Sequence, residues 1–453
     1  MTRTLLAVLA LALGLTTVAP AADPIPPTPS AAERMDQVAQ FYVDTRQFMG
    51  AVLVAHGDHV LFRKAYGSAN LEWNVPNTVD ARFRIGSVTK QFTAAAILLL
   101  EERGKLKLDD PVGKYYEDAP ASWSAITLHH LLTHTSGIPN FTSFPDYDDT
   151  EPLPTTPAEL VKRFRDKPLE FTPGTEMRYS NSGYVLLGVV IEKASGVDYA
   201  QFLATNIFEP LAMKDSGYES NTALLPHRAA GYTPGPKGIA NASYVHMTVP
   251  YSAGALYSTV EDLHRWTRGL FAHKVISAAS LAKMLTPAKN DYALGISVGT
   301  NDIGRVVQHG GGISGFNSQL TYYPESQVMI VALSNLNGGG ASAIADKLGQ
   351  LAHGKPVVLQ SERKTVKVPR ATLAKYAGSY QLRPGFDLSF SIDGDSLAVQ
   401  ATGQPRMPLA AESSTKFFAL PIEADFEFQV DAKGKVTGVR FRQGGRDSIA
   451  PRK

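Results

Sequence analysis

The chain has 453 residues, 44% of them hydrophobic, and sets 44 Lys and Arg against 42 Asp and Glu. That length allows two or three domains with buried cores, and the even charge offers nothing to drive binding to nucleic acid or an anionic membrane. The absence of cysteine excludes disulfides, thiolate metal sites, a cysteine nucleophile and lipid attachment through an N-terminal cysteine.

The N-terminus reads MTRTLLAVLALALGLTTVAPAADPIPP. Arg3 supplies a positive start, Leu5 to Val18 an apolar stretch too short to favour a spanning helix, and Ala19-Pro20-Ala21 a small-residue cleavage site. Residues 1–21 therefore read as a secretory signal peptide cut before Ala22, rather than a retained anchor. This predicts a periplasmic or secreted protein with no membrane span after cleavage.

A helix is expected from Ala32 to about Arg46, then a hairpin in GAVLVAHGDHVLFRKAYG (50–67), turning at His56-Gly57-Asp58-His59. From Ser87 onward Val88, Phe92, Ala95 and Leu99 recur at helical spacing, with Gly104 as the stop. Residues 105 to about 290 read as helical segments and long loops, including the Pro- and Asp-rich stretch 139–157. Strand patterns return at RVVQHG (305–310), SQLTYYP (318–324) and VMIVALSN (328–335), followed by a helix from Ala341 to about Ala352. Strands at both ends with helices between imply one sheet assembled from distant segments, with a helical region inserted.

The polar, basic stretch 354–370 reads as a linker, with residues 359–370 separating a first domain (22–358) from a second (371–453). The second shows short alternating strands and turns at Asp393-Gly394 and Lys433-Gly434, the pattern of an antiparallel β unit.

The pattern S-x-x-K occurs four times, at Ser87/Lys90, Ser280/Lys283, Ser361/Lys364 and Ser413/Lys416. Ser361 falls in the linker, Ser413 in the β unit, and Ser280 in a short helix better capped by Ser277. Ser87 alone opens a long apolar helix behind a glycine. There the helix N-terminus favours negative charge, and i, i+3 spacing brings Lys90 to the same face. A serine hydroxyl needs such activation to act as a nucleophile. The competing reading makes Ser87 a plain N-cap.

Two further stretches complete a pattern. RYSNSGYVLLGVVIE (178–192) puts Tyr179 and Asn181 before a buried helix, and VVQHGGGISGFNS (306–318) puts His309 and three glycines after a strand. With Ser87-Val88-Thr89-Lys90 these resemble, in order, the three signatures of the serine β-lactamase and penicillin-binding-protein family. The branch with Tyr-x-Asn is the nearest, that of class C β-lactamases and related esterases and D-aminopeptidases. The phrases LLTHTSGIP (131–139) and AGALYSTVEDL (253–263) look like that branch too. The resemblance covers roughly residues 32 to 352.

It implies an α/β (α+β) fold with an antiparallel sheet and an inserted helical region, followed here by a lipocalin-like β-barrel unit. It implies an acylated nucleophile at Ser87, Lys90 lowering its pKa, and Tyr179 as general base, although a buried Ser/Lys/Tyr cluster shares its protons as one system. Asn181 would hold Lys90 and contact the substrate amide, while His309, Gly310, Gly311 and Gly312 would line the substrate, Gly312 with Ser87 donating to the oxyanion. No metal or organic cofactor is implied, and the partner is a small-molecule or peptide substrate. The third signature departs from Lys-Thr-Gly: His309 is mostly neutral at pH 7, where lysine would hold a substrate carboxylate. Esters, amides and D-configured peptides are therefore expected ahead of penicillins. A penicillin receptor or a carboxypeptidase with slow deacylation is the alternative, and a third places the function in the β unit.

Three other features of the sequence invite a functional reading. Ser297 in GISVG matches a hydrolase elbow, but that motif needs strand, turn and helix, and another strand follows instead. His130 and His134, with His129 adjacent, have metal-compatible spacing but no companion glutamate, so they read as structural. Phe141, Phe144 and Tyr147 in the long loop could form a lid over a cleft.

Overall fold

The computed structural model describes residues 29–236, 238–419, 423–443 and 446–453, so the expected signal peptide lies outside the described residues. Helix α1 (Ala31–Asp44) starts in a capping box, Ser30 accepting from Glu33 N–H while the Glu33 carboxylate accepts from Ser30 N–H. The expected hairpin follows as β1 (Gly50–His56) and β2 (His59–Tyr66). After the inserted helices come β3 (Ser297–Thr300), β4 (Arg305–Ile313), β5 (Phe316–Tyr323) and β6 (Val328–Ser334). They form one antiparallel sheet in the order β3-β4-β5-β6-β1-β2. Gly50 pairs with Ser334 and His56 with Val328, which seats the hairpin against the last strand.

Both faces of this sheet are covered, so its central strands lack the polar alternation of a solvated sheet. Every residue of β6 is buried. Val52, Val54, Ile330 and Ala332 meet α1 and the helix α4 that closes this unit (Gly340–Ala352). Ala51, Leu53, Val331 and Leu333 point the other way, into a larger core with the inserted helices. Those include α2 (Thr89–Glu102) and α3 (Asn181–Ser195). In α2 every residue from Thr89 to Leu100 is buried, as expected of a helix enclosed all round rather than lying at a surface. Its stop matches expectation, with Gly104 at φ +69° just past the C-cap.

The stretch expected as a linker packs at both ends. Val357 and Leu359 belong to the core beneath α1 and α4, Val368 to the core of the next unit, and Arg34 forms an ion pair with Glu362. The C-terminal strands form an antiparallel four-stranded sheet (378–408) and a five-stranded one (410–451). Only Leu409 separates the two along the chain, and a Tyr380–Arg452 bridge joins their outer strands. Tyr376, Phe390, Phe417, Phe426 and Phe428 fill the space between. Glu423 ties this unit to the first, accepting from the buried Tyr42 hydroxyl of α1 at 2.5 Å and lying 3.3 Å from Lys347 of α4.

Candidate active site

Ser87 lies in a tight 3-10 turn, Gly86–Val88, that runs into α2. Gly86 adopts φ +50°, and a Cβ there would lie 2.9 Å from the Gly312 nitrogen. Glycine is required on both counts. The capping reading fails, because the N-cap of α2 is Val88 and no side chain caps either helix. The Ser87 hydroxyl is left for other partners.

Lys90 is fully buried, and its Nζ contacts three oxygens: Ser87 Oγ at 3.1 Å, Asn181 Oδ1 at 2.8 Å and the Ala253 carbonyl at 2.8 Å. Desolvation holds its pKa well below the ordinary lysine value. Asn181 Nδ2 donates to Thr142 Oγ1, which orients the amide so that Oδ1 faces the lysine. In its neutral form the amine gives its two hydrogens to Asn181 and Ala253, which can only accept. Its lone pair remains for the Ser87 hydroxyl.

Tyr179 comes from the residues just before α3 and hydrogen-bonds Ser87, while its ring lies 4.8 Å from Lys90 Nζ. The residue as a whole is 38% exposed, yet desolvation of the hydroxyl raises its pKa, which keeps the phenol protonated at neutral pH. His134 lies beneath it, ring centroids 4.2 Å apart. The His134 carbonyl accepts from Arg178 N–H at 3.0 Å and its Nδ1 from Ser180 N–H at 3.1 Å, so both neighbours of Tyr179 are fastened to one residue. A backbone N–H can only donate, so Nδ1 is bare and Nε2 carries the proton, buried without a partner among the described residues.

His309 is buried in β4. Its Nδ1 donates to the Gly310 carbonyl at 2.6 Å, and Nε2 accepts from the Tyr292 hydroxyl at 3.0 Å. Burial lowers its pKa to about 4. The ring is therefore neutral at pH 7 and presents no cation to the cleft. Tyr292 and the Asn181–Thr142 brace carried no sequence signal.

The three glycines, expected after a strand, fall inside β4, because the ladder with β5 continues to Ile313 and Phe316. Strand β3 pairs with β4 only as far as Gln308, so among the described residues no strand flanks His309 to Ile313 on that edge. There β4 runs beside the Gly86–Ser87 turn: a Cβ on Gly311 would lie 2.0 Å from the Ile85 carbonyl oxygen. A cavity of about 280 Å³ opens between Ser87, Asn181 and Gly312, walled by Phe141, Tyr147, Glu151 and Ile313. The loop aromatics are thus packed wall rather than a hinged cover, with Phe141 fully buried and Phe144 and Tyr147 against the core.

The remaining candidates lie elsewhere. Ser297 begins strand β3, Ser277 caps the short helix containing Ser280, and Ser413 Oγ accepts from Lys416 N–H in a turn. His130 Nδ1 accepts from Thr127 N–H at the start of a five-residue helix, a structural role.

A serine, a buried lysine and a tyrosine gathered beside a glycine-rich strand define a serine hydrolase of the acyl-transfer class. The Beta-lactamase family matches residues 35–355, and this chain belongs to it. A domain of unknown function, DUF3471, matches residues 362–449. Penicillin-binding protein 4* of Bacillus subtilis is 30% identical over 420 residues, covering 86% of this chain and 92% of that protein. A penicillin binding protein from Bacillus halodurans superposes with a TM-score of 0.63 at 30% identity, over 69% of this chain and 99% of that one. The octameric penicillin-binding protein homologue from Pyrococcus abyssi gives 0.66 at 27% identity, over 92% and 99%.

Proposed function

We propose that the protein is an exported serine hydrolase that cleaves ester or amide bonds through a covalent acyl-enzyme at Ser87. The observation that carries this reading is the Lys90 amine, held by Asn181 and Ala253 with its remaining position on Ser87 Oγ. Neutral Lys90 takes the hydroxyl proton as Oγ attacks the carbonyl carbon. The developing oxyanion receives the Ser87 and Gly312 N–H groups, each such donor being worth about 10²–10³ in rate. As the carbon–leaving-group bond breaks, the protonated Tyr179 phenol gives its proton to the departing amine or alkoxide, and the ammonium of Lys90 then restores the phenol. Water repeats the attack on the acyl-enzyme and Ser87 recovers its proton. The basic start and apolar run of residues 1–21 support export to the periplasm or beyond. Among the described residues no helix is long and apolar enough to cross a membrane.

The neutral His309 supports ranking simple esters, amides and D-configured peptides above penicillins, whose carboxylate lacks a cation there. Intact-mass analysis after an activated phosphonate, and after a panel of aryl esters, D-peptides and benzylpenicillin, tests the reading. The native protein should gain one adduct that Ser87→Ala does not. A mass gain kept by the alanine variant places the nucleophile elsewhere, and faster turnover of benzylpenicillin than of an aryl ester reverses the substrate ranking. A penicillin adduct that persists for hours would favour the receptor reading.

A further inference from the structure

Glu151 shares the cavity with Ser87, Asn181 and Gly312, and it is the one formally charged side chain among the described residues lining it. Its Oε1 accepts from the Tyr147 hydroxyl at 3.0 Å. No Lys, Arg or His side chain pairs with its carboxylate among the described residues; the His246 backbone N–H donates to the Glu151 carbonyl at 3.0 Å instead. Arg84, whose charge reaches it, is held in a two-point ion pair with Glu219 at 2.9 and 2.8 Å. Arg163, from the helix Pro157–Arg165, donates to Asp146 at 3.0 Å and to Thr150. Burial and the neighbouring Asp148 push the Glu151 carboxyl upward, the expected result for a half-buried acid with no cation of its own.

The cavity lining includes neither Tyr179 nor His309. In the mechanism above the leaving group departs on the Tyr179 side, where it collects a proton, so the cavity around Glu151 takes the acyl side.

We infer that Glu151 anchors an ammonium group on the acyl half of the substrate, making acyl compounds with a free amine the preferred class. This deepens the reading of Ser87 as an acylated nucleophile and rests on it. A substrate ammonium would supply the missing counter-charge and order the carbonyl over Ser87 and Gly312. The same carboxylate would repel an anionic acyl group. The competing account makes Glu151 a brace for the loop helix through its i, i+4 bond to Tyr147.

The two accounts separate with paired substrates sharing one leaving group. D- and L-alanine p-nitroanilides are compared with their N-acetyl counterparts in the native protein, Glu151→Gln and Tyr147→Phe. The native protein should prefer the free amine, less so as salt rises. Glu151→Gln should lower the amine-to-acetyl ratio of kcat/KM at least about tenfold, a difference of roughly 1.4 kcal/mol. Tyr147→Phe removes the brace but keeps the carboxylate, so the ratio should hold. A native protein that favours the acetyl compounds, or a Glu151→Gln variant in which both substrates fall together, overturns the anchor while leaving Ser87 chemistry intact. Failure of every substrate and of an activated phosphonate to acylate Ser87 would instead remove the underlying reading.

Discussion

At Lys90 burial lowers the affinity for a proton, and desolvation likewise disfavours the charged form of the rings around it, Tyr179, His134 and His309. The backbone N–H groups of Arg178 and Ser180, on either side of Tyr179, both bond His134, whose own backbone takes φ +56°. We place His134 as a positioning residue for Tyr179. His134→Ala should lower kcat by about tenfold or more, some 1.4 kcal/mol of barrier, while KM moves less, and His134→Asn, keeping an acceptor for Ser180, should recover part of it. A variant with lower thermal stability but native kcat at 25 °C would make the role purely structural. His309 gives a pH signature. Its folded pKa of about 4 lies below the ordinary 6.5, so the unfolded chain binds more protons between those values and stability falls as pH drops through that window. The loss amounts to about 3 kcal/mol at its limit. Denaturant titrations of His309→Asn at pH 7.5 and 4.5 should show a smaller difference than the native protein, with a residue left by His134, which burial lowers in the same direction. An unchanged difference would mean that the native ring is not held neutral.

Among the elements, β4 and the turn before α2 are mutually dependent. Ser318 Oγ donates to the Ile85 carbonyl at 2.7 Å, and that oxygen leaves no space for a Cβ on Gly311. Gly311→Ala should push Ile85 and the Ser87 turn off β4, costing about 1–3 kcal/mol as overpacking does and cutting phosphonate labelling of Ser87 by about a hundredfold, comparable to loss of an oxyanion donor. Gly312→Ala is the contrast: its Cβ would meet only Asn317 Nδ2 at 3.4 Å, so the fold should remain near native stability. Equal melting temperatures for Gly311→Ala and the native protein would contradict the close approach. The run His309-Gly310-Gly311-Gly312 was legible as important, but not as strand. Consecutive glycines favour turns locally, and here the ladder to β5 overrides that preference.

Across the whole molecule, the C-terminal unit is tied to α1 and α4, which cover the face of the sheet opposite α2 and Ser87. Glu423 takes both ties, from Tyr42 and Lys347. Glu423→Gln should therefore speed limited proteolysis between residues 354 and 370 while kcat/KM for a small aryl ester stays within about twofold, as for surface changes distant from a site. A large loss of esterase activity would show that the C-terminal unit takes part in the cleft and would revive it as a functional element.

The sequence by itself determined the catalytic cast and the broad architecture, because both are written in local patterns. Ser87 and Lys90 share one helical turn, Tyr179 and Asn181 precede another helix, and alternating or continuous apolar runs mark the strands. Only the tertiary structure decided the chemistry those groups can perform. The lowered proton affinity of Lys90 depends on its removal from water, the clamp of His134 on contacts 44 to 46 residues away, and the absence of a cation on the Glu151 carboxylate among the described residues on where Arg84 and Arg163 direct their hydrogen bonds. Charge and proton affinity are set by through-space neighbours and desolvation, which a linear order of residues does not carry.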